Sequence, residues 1–564
     1  MNTLYYGDNL KILRDHIKDE SVDLIYLDPP FNSNRNYNVL FKNESGTEAE
    51  SQITAFEDTW HWNTSAEETY NELLLASDSV GQMVESFRSF IGENQMMAYL
   101  VMMAIRLKEL HRALKPTGSL YLHCDPTASH YLKILLDTIF GAERYLNEIT
   151  WKRTFAHGNV GRNYGSVSDT IFWYSKGSKY TWNQQYATLT DAASDKKYPK
   201  ADSDGRRWQS VTLRNPGWRP NLQFPYTASN GVTYHPHPNG WSCNLERLQK
   251  LDAEGRLHFP SKPDGALRLK MYEDESEGER LQNIWNDISP IPSQAQERLG
   301  YPTQKPVALL ERILKASSNE GDIVLDPFCG CGTTIAAAQN LNREWIGIDL
   351  THLAVGLQKF RLKDTYGLTA GRDYKVVGQP EDLAGARELA QNDRYGFQWW
   401  ILPLVGAKSL GAEAGKKEGK KGSDKGIDGL MSFIDDTSGK AKKVIFSVKS
   451  GHVNVSHIRD LVGTVEREKA AMGVYVTLEP PTKPMITEAV SAGFYHSDHF
   501  NKDFPKIQIL TVEDILAGAE VRKPTDSITF KKASKAVPTN TAQNELFGEL
   551  PETNDERPEI AETQ

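Results

Sequence analysis

The feature that most constrains the fold of this chain is an alternation of short apolar strands and amphipathic helices. Residues 23–27 and 119–124 read as buried strands, whereas residues 95–114 and 128–141 have the apolar spacing of helices. The same alternation returns between residues 308 and 350. Strands that alternate with helices favour a parallel sheet covered on both faces, so we predict an α/β protein with a doubly wound sheet.

The regions between and after these two halves differ in composition. Residues 151–300 interleave arginines and aromatic residues with many prolines and glycines, which indicates a loop-rich insertion. A Gly/Lys-rich stretch at 406–426 precedes a second, smaller strand–helix pattern. We therefore predict five segments, the last of them an acidic disordered tail: 1–150, 151–300, 301–380, 390–523 and 524–564.

Charge, cysteine content and apolar segments indicate the cellular compartment and the kinds of partner that this chain can have. Residues 537–564 hold seven acids and one arginine and so contribute −6 of the net charge of −9, which leaves −3 for residues 1–536. This total does not exclude a local basic groove that binds nucleic acid. Four cysteines in 564 residues do not make a disulfide framework. The N-terminus does not resemble a signal peptide, and no apolar run reaches membrane-spanning length. We predict a cytoplasmic protein with no membrane partner.

The segment "VLDPFCGCGTT", residues 324–334, has the composition of a ligand-binding turn. A strand ends in Asp326, and Gly330 and Gly332 let the backbone approach a ligand before a helix begins. Asp349 ends the next strand, nineteen residues after Gly330, where an acid commonly binds ribose hydroxyls. Glycines also occur in such turns for structural reasons alone, and the two cysteines read as small residues rather than metal ligands. The spacing differs from the dinucleotide pattern and favours S-adenosylmethionine.

A second acid, Asp28, follows the strand "DLIYL" and precedes two prolines and Phe31. The Asp28 carboxylate and the Pro29 carbonyl can accept the two N–H groups of an exocyclic amine, which draws its nitrogen toward a tetrahedral, more nucleophilic geometry. Phe31 can stack on the base. A proline-terminated strand with a surface acid is the structural alternative. Because ligands bind at the carboxyl ends of strands in α/β sheets, we predict that this corner faces the cofactor.

The order of these motifs resembles that of the β-class amino-directed DNA methyltransferases. In that family a D-P-P-[YF] motif comes first, a target-recognition insert second and an F-x-G-x-G motif last, as in "LDPPF", residues 151–300 and "DPFCGCG" here. The segments "YYGDNL" at 5–10 and "YPTQKPVALLERIL" at 301–314 resemble further family elements. The likeness extends to about residue 375. It implies a doubly wound, S-adenosylmethionine-dependent methyltransferase sheet with an inserted target-recognition region.

The resemblance also implies site residues and a substrate. An Asp before the two prolines goes with adenine N6 in this family, and a Ser with cytosine N4, so adenine is favoured. The base would have to leave a DNA duplex, at a cost of roughly a few kcal/mol. Catalytic roles fall to Asp28, Pro29, Pro30 and Phe31, and cofactor contacts to Asp8, Thr303, Lys305, Asp326, Phe328, Gly330, Gly332, Thr333 and Asp349.

Residues 151–300 supply candidates for contacts with duplex DNA. Arginine side chains can bond to phosphates and base edges, and aromatic side chains accompany them here. Each of these side chains could equally be a solvated surface group, so the prediction concerns the region. The candidates are Arg153, Arg162, Arg206, Arg207, Arg214, Arg219, Trp208 and Trp218.

The C-terminal region resembles the Mrr-like branch of the PD-(D/E)xK nucleases. The segments "GSDKGIDG" and "VIFSVKSG" place Asp428 and Lys449 where that family has its Asp and Lys. This implies a smaller α/β nuclease-like domain in which Asp428 would bind Mg²⁺. Ser447 stands where the family has an acid or a glutamine, and a hydroxyl is a poor Mg²⁺ ligand. Gln398 is a candidate supporting residue, and a fold retained for DNA binding alone is the alternative.

These patterns favour a site-specific DNA adenine-N6 methyltransferase and leave other functions open. One alternative is a bifunctional restriction–modification enzyme with an active C-terminal nuclease, and another is an N4-cytosine methyltransferase. An RNA or protein amino-methyltransferase and a DNA-binding protein with an inactive pocket are further alternatives. Besides duplex DNA, a second copy of the chain or a restriction subunit is a candidate partner.

Overall fold

The computed structural model describes most of the chain. The described residues are 1–29, 62–155, 164–187, 191–262, 265–292, 295, 297–299, 301, 303–409, 426–435 and 441–524, together with the backbone of strands Asn36–Val39 and Ile53–Glu57. Pro30, Phe31, Arg162, most of the Gly/Lys-rich stretch and residues 525–564 of the predicted tail lie outside the described residues.

The N-terminal part of the chain alternates strands and helices. Its strands are β1 (Thr3–Tyr6), β2 (Val22–Leu27), β3 (Asn36–Val39), β4 (Ile53–Glu57), β5 (Leu114–Cys124) and β6 (Tyr145–Lys152). Its helices are α1 (Asn9–His16), α2 (Thr64–Leu75), α3 (Ser79–Ile91), α4 (Gln95–Ala113) and α5 (Pro126–Phe140). Each helix begins after a side chain that accepts N-terminal backbone N–H groups, which fixes its start: Asp8, Asn63, Asp78, Asn94 and Asp125.

The middle of the chain contains mostly short strands. They are β7 (Ser168–Ser175), β8 (Tyr186–Ala187), β9 (Lys200–Ala201), β10 (Arg207–Thr212), β11 (Tyr226–Thr227), β12 (Thr233–Tyr234), β13 (Leu257–His258), β14 (Arg268–Tyr272), β15 (Glu279–Arg280) and β16 (Ile284–Trp285). The helices here are α6 (Asp191–Lys197) and α7 (Leu245–Ala253). Strands β13, β14, β10 and β9 form a small antiparallel sheet.

The strand–helix alternation then resumes and ends in a second compact region. The first part comprises α8 (Val307–Ser317), β17 (Ile323–Asp326), α9 (Thr333–Asn340), β18 (Glu344–Asp349), α10 (His352–Tyr366) and β19 (Lys375–Val377). The second comprises α11 (Leu383–Asn392), α12 (Arg394–Leu404), β20 (Lys408–Ser409), β21 (Gly429–Phe433), β22 (Lys442–Lys449), α13 (Val455–Arg467), β23 (Met472–Thr477), α14 (Lys483–Ser491), β24 (Phe494–Ser497), β25 (Lys502–Pro505), β26 (Ile507–Thr511) and α15 (Val512–Leu516).

The main sheet has the order β16-β6-β7-β5-β2-β17-β18-β1-β19. Among the strands that the structure describes in this sheet, β7 alone runs antiparallel to its neighbours. Strands from both ends of the sequence therefore interleave, since β2 lies against β17 and β1 against β18. Strands β6, β7 and β16 extend this sheet into the range 151–300, so the separate small sheets of the insertion begin after Ser175.

Both faces of the main sheet are buried. Along β2, Ile25 and Leu27 join the apolar cluster that contains residues of α1, α3, α4 and α5, whereas Leu24 and Tyr26 join the cluster that contains residues of α8, α9 and α10. Helices on two faces and near-continuous apolar strands are what a doubly wound sheet requires. The predicted α/β fold with a doubly wound sheet is thereby confirmed.

The C-terminal region contains a five-stranded sheet in the order β20-β21-β22-β23-β26. Strands β22, β23 and β26 are parallel, and β21 runs antiparallel to β22. Apolar side chains cover both faces of this sheet as well. Helix α12 packs against α10 of the preceding region. Within the described parts of the chain, we find no helix with the length and apolar character needed to cross a membrane.

Candidate active site

The carboxyl ends of β17 and β2 form the topological switch point of the main sheet. The two strands are neighbours, with Leu325 paired to Ile25, but the chain leaves β17 toward β18 on one side and β2 toward β5 on the other. In open α/β sheets, ligands bind in the crevice outside such strand ends. Asp326 ends β17, Asp349 ends β18 and Asp28 follows β2, so three acids from separate motifs share one sheet edge.

Asp326 closes the loop that joins β17 to α9. One carboxylate oxygen accepts a hydrogen bond from the Phe328 backbone N–H (3.0 Å), and the other accepts one from the Thr334 hydroxyl (2.5 Å). Gly332 precedes α9 in the left-handed conformation, and a Cβ at this position would lie 2.8 Å from the Gln358 side chain. Backbone conformation and space therefore both require glycine here.

Asp349 holds the same loop from the neighbouring strand. Its carboxylate accepts hydrogen bonds from the Gly330 backbone N–H and from the backbone N–H and hydroxyl of Thr351, each at 2.9 Å. Burial raises the pKa of Asp349 to about 6. Burial likewise raises the pKa of Asp326 to about 7, and the charges of Asp28 and Asp349 act in the same direction. The three carboxylates thus lie close enough to influence one another.

Asp28 forms an ion pair with Lys305, which precedes α8. The carboxylate of Asp28 is 16% exposed and the ammonium-bearing side chain 11% exposed, so this pair is largely shielded from water. Lys305 Nζ also lies 3.5 Å from the Thr303 carbonyl oxygen. Pro29 is buried beside Asp28. The structure therefore brings the segment 303–305 to the acid–proline corner, across a sequence separation of 277 residues.

Asp8 lies at the same edge of the sheet, but its carboxylate is already bonded to the backbone of α1 and to Arg106. It caps α1 by accepting from the backbone N–H groups of Leu10 and Lys11, and it pairs with Arg106 at 2.8 Å. The buried neighbour Asn9 donates to the Pro327 carbonyl at 2.8 Å, which ties α1 to the glycine loop. In this arrangement Asp8 acts as a helix cap, and Asn9 is the residue that reaches the loop.

Several residues that hold the loop between β17 and α9 are not among the residues predicted from the sequence. Gln358 donates to the Gly330 carbonyl (2.6 Å), and Tyr301 packs against the same glycine. Thr333, which was predicted, is buried as the first residue of α9, whereas Thr334 makes the bond to Asp326. Thr334 and Asn9 lie within the motifs "GTT" and "GDN", so the sequence could have indicated them. Gln358 lies in α10, where no sequence motif marks it.

The two loop cysteines, Cys329 and Cys331, are buried thiols. The Cys329 thiol donates to the Ile348 carbonyl at 3.1 Å. Burial raises the pKa of both thiols above the usual value. Within the described ranges, no group of three His, Cys, Asp or Glu side chains is arranged to hold a metal ion.

The predicted DNA contacts of the insertion divide into two groups. Arg206 pairs with Asp274 and Glu275, and Arg207 pairs with Asp195 and Glu273, so both are engaged in ion pairs within the insertion. By contrast, Arg214 and Arg219 are exposed and make no ion pair within the part of the chain that the structure describes. Trp218 between them is 66% exposed, whereas Trp208 is buried.

The loop that carries Arg214, Trp218 and Arg219 is held by a second segment. Backbone N–H groups of Asn215 and Arg219 donate to the carbonyls of Gly240 (3.0 Å) and Asn239 (3.2 Å). The Asn239 side chain donates back to the carbonyls of Asn215 and Pro216. This loop therefore presents two exposed guanidinium groups and an indole ring on a defined backbone.

The nuclease-like residues of the C-terminal region lie together, and among the described residues they form no complete metal-binding set. Asp428 accepts hydrogen bonds from the Val448 backbone N–H (2.6 Å) and from the Gln398 side chain (3.3 Å). Lys449 ends β22, and Ser447 is buried in the same strand. Mg²⁺ takes oxygen ligands that usually include more than one carboxylate or a phosphate. One carboxylate already bonded to backbone, beside a hydroxyl, does not fit that ion.

Different parts of the chain match different families of known proteins. Residues 408–516 match the family described as NACHT-associated inactive Restriction Endonuclease 1. A solved structure, the M1.HpyAVI–SAM complex, is 16% identical, with 64% of this chain and all of that chain aligned at a TM-score of 0.29.

Curated relatives match a little under two thirds of the chain. Type II methyltransferase M.EcaI of Enterobacter cloacae is 30% identical over 350 residues, which cover 62% of this chain and 66% of the relative. DNA adenine methyltransferase YhdJ of Escherichia coli K12 is 25% identical over 367 residues, covering 64% of this chain and 84% of the relative. The chain thus spans just under two thirds of the length of M.EcaI.

The family model described as DNA methylase, which comprises N6- and N4-directed enzymes, matches residues 22–357. This range exceeds half of the chain and contains the glycine loop, Asp28, Asp326, Asp349 and Lys305. The chain therefore belongs to the N6/N4 DNA methylase family.

Proposed function

We propose that this chain transfers the methyl group of S-adenosylmethionine to N6 of adenine in duplex DNA. The observation that carries the proposal is that the Asp28–Pro29 corner and the glycine loop with Asp349 lie on one edge of one sheet. Membership in the DNA methylase family supports the reaction class. Asp rather than Ser before Pro29 supports adenine over cytosine, and the similarity to an adenine methyltransferase agrees with this choice.

The residues at the sheet edge fit S-adenosylmethionine. Asp349 would accept hydrogen bonds from ribose hydroxyls, and Gly330 and Gly332 leave the loop without side chains at its point of closest approach. Leu350, 64% exposed beside Asp349, offers an apolar surface for a planar ring. When bound, the cofactor supplies an electrophilic methyl group on a sulfonium sulfur.

The Asp28 corner would orient the target amine. The two N–H groups of adenine N6 would be received by the Asp28 carboxylate and the Pro29 carbonyl, and Asp28 also offers an acceptor for the proton that N6 releases. Lys305 holds that carboxylate before the base arrives, so the amine has to share or displace the ammonium group. Pro30 and Phe31 complete the proposed catalytic motif.

We expect the pH dependence of cofactor affinity to report Asp349. Its folded-state pKa is raised to about 6, so the ionised form, the better acceptor for hydroxyls, is lost as pH falls through about 6. Cofactor affinity measured by calorimetry should therefore be constant above about pH 7 and weaken below about pH 6. Asp349→Asn should bind more weakly and flatten this profile. An unchanged profile in that variant would assign the titration to another group, with Asp326 as the first candidate.

We expect the exposed arginines of the insertion loop to contribute DNA affinity. Arg214→Ala combined with Arg219→Ala should weaken DNA binding by about tenfold or more and reduce the slope of log affinity against log salt by about two. Arg206→Ala is the matched control, because its guanidinium is already paired with Asp274 and Glu275. Fluorescence anisotropy of labelled DNA over a series of salt concentrations measures both the affinity and its salt dependence. Equal losses in the control and the double variant would contradict this assignment.

We propose that the C-terminal region does not cleave DNA. Its match to an inactive endonuclease family supports this, and so does the absence of a fitting Mg²⁺ donor set among the described residues. Any cleaving partner would then be a separate chain. Incubating the purified chain with Mg²⁺ and unmethylated DNA should yield no specific cleavage above that of Lys449→Ala. Cleavage by the unmodified chain that Lys449→Ala abolishes would instead support the bifunctional alternative.

The proposed reaction is tested by mass spectrometry of nucleosides. DNA incubated with the purified chain and S-adenosylmethionine should contain N6-methyldeoxyadenosine, with duplex DNA preferred over RNA. N4-methyldeoxycytidine would show that the base assignment is wrong while the reaction class stands. A modified RNA or protein would contradict the substrate, and failure to bind S-adenosylmethionine would favour a binding protein without methyl transfer.

A further inference from the structure

A buried chain of polar side chains links the insertion to the strand that carries Asp28. The Tyr26 hydroxyl lies 2.9 Å from His123 Nδ1, and His123 Nε2 lies 3.1 Å from an Asp169 carboxylate oxygen. The other Asp169 oxygen lies 2.9 Å from Nε of Arg153. Tyr26, His123 and Asp169 are at most 3% exposed, whereas the Arg153 side chain is 39% exposed. The chain of contacts thus runs from the protein surface to β2.

Burial of the row Tyr26–His123–Asp169 in an apolar core costs free energy of folding. They lie on the sheet face whose other members include Trp151, Ile171 and Trp173. Burial of a tyrosine hydroxyl, an imidazole and a carboxylate requires that each be satisfied, and apolar residues would fill the same space without that requirement. Neither the cofactor contacts nor the orientation of the target amine uses this row, so packing and the proposed reaction leave it unexplained.

The two ends of the row lie at functionally distinct places. Tyr26 lies near the end of β2, two residues before Asp28, which directly follows the strand. Arg153 directly follows β6, where the chain leaves the sheet, and its backbone N–H donates to Val167, two residues before Asp169. A cation at that exit is suited to a phosphate of the bound duplex.

The charged form of the buried Asp169 carboxylate is stabilised by its neighbours. Burial alone would raise the Asp169 pKa, but the hydrogen bond from His123 and the charges of His123, Lys305 and Arg153 bring it below its usual value. The contact between Arg153 Nε and Asp169 is electrostatic only, since neither atom makes a hydrogen bond in the described structure.

We propose that Tyr26, His123 and Asp169 are positioning residues that couple a DNA contact at Arg153 to the placement of Asp28. A phosphate that draws on Arg153 changes its contact with Asp169, and the contacts through His123 and Tyr26 pass this change to the end of β2. Asp28 directly follows that strand end, so its carboxylate is then placed for the target amine. This inference rests on the proposed methyl transfer to DNA.

The test is single-turnover methyl transfer with cofactor and DNA both saturating. Tyr26→Phe and Asp169→Asn should lower the transfer rate constant by about tenfold or more, with cofactor and DNA dissociation constants changed by less than about threefold. Arg153→Met should slow transfer similarly and also weaken DNA binding, and Arg153→Lys should restore most of the rate. The double variant Arg153→Met with Asp169→Asn should be no slower than the slower single variant, because both break one chain of contacts.

Tyr121→Phe is the matched control. Tyr121 is paired in register with Tyr26 on β5, is equally buried, and bonds through its hydroxyl to Ser317 at 2.6 Å. We expect this variant to melt at a lower temperature without slowing transfer. If Tyr121→Phe slows transfer as much as Tyr26→Phe does, or if the Arg153 and Asp169 effects multiply independently, the inference is overturned although the enzyme methylates DNA. An unmodified chain that methylates no DNA would contradict the proposed function, and this inference with it.

Discussion

Replacing Asp28 by alanine is expected to abolish methyl transfer while leaving cofactor affinity nearly unchanged. The carboxylate is the acceptor proposed for the target amine, and removal of one such preorganised group typically costs about a hundredfold to a thousandfold in rate. Asp28 directly follows β2, whereas the loop proposed to hold the cofactor joins β17 to α9. Single-turnover transfer and calorimetric titration of S-adenosylmethionine measure the two quantities separately.

Asp23→Ala is the control for this prediction because it removes a carboxylate from the other end of the same strand. Asp23 pairs with Lys115 at 2.7 Å and accepts the Ile323 backbone N–H at 2.9 Å. Its loss should lower thermal stability without changing the rate of transfer by folded protein. A normal rate in Asp28→Ala would remove the catalytic role from this corner.

Asp349→Ala should weaken cofactor binding by about tenfold to a hundredfold. Hydrogen bonds to a charged group contribute about 1.5–3 kcal/mol, which corresponds to that range in Kd. The carboxylate also fixes the Gly330 and Thr351 backbone, so its removal should loosen the loop as well. Isothermal calorimetry of the purified variant with S-adenosylmethionine measures the change.

Asp125→Ala is the comparison for Asp349→Ala. Asp125 also follows a strand of the main sheet, β5, and it accepts the Thr127 N–H at 2.9 Å as the cap of α5. We expect its loss to affect α5 and not the cofactor. A Kd for Asp349→Ala equal to that of the unmodified chain would place the ribose contact on another residue.

Much of the sheet and both strand-end motifs could be read from the sequence, because local rules determine them. Strands at Val22–Leu27 and Glu344–Asp349 occur where the apolar pattern predicts them, and the helices Gln95–Ala113 and Pro126–Phe140 lie close to the predicted ranges 95–114 and 128–141. The strand predicted at 119–124 begins earlier, at Leu114, since a proline near the start of a strand is tolerated.

Long-range electrostatics could not be read from the sequence. Lys305 was assigned to the cofactor by resemblance, whereas its ion pair with Asp28 depends on packing between segments 277 residues apart. Two arginines predicted to meet DNA, Arg206 and Arg207, are paired with acids of the insertion. No local pattern tells a paired guanidinium from an exposed one such as Arg219, because the partner acids lie on α6 and in the turn that follows β14.

Methyl transfer at Asp28 requires that Asp28 and the bound cofactor face the same crevice, and a crystal structure with S-adenosylmethionine or a stable analogue tests this directly. Transfer needs about 3.5 Å between methyl carbon and N6, and N6 would lie about 3 Å from the carboxylate. We therefore expect an open gap of about 6–7 Å between the sulfonium methyl and the Asp28 carboxylate. A cofactor whose methyl group points away from Asp28, or a gap filled by protein side chains, would contradict it.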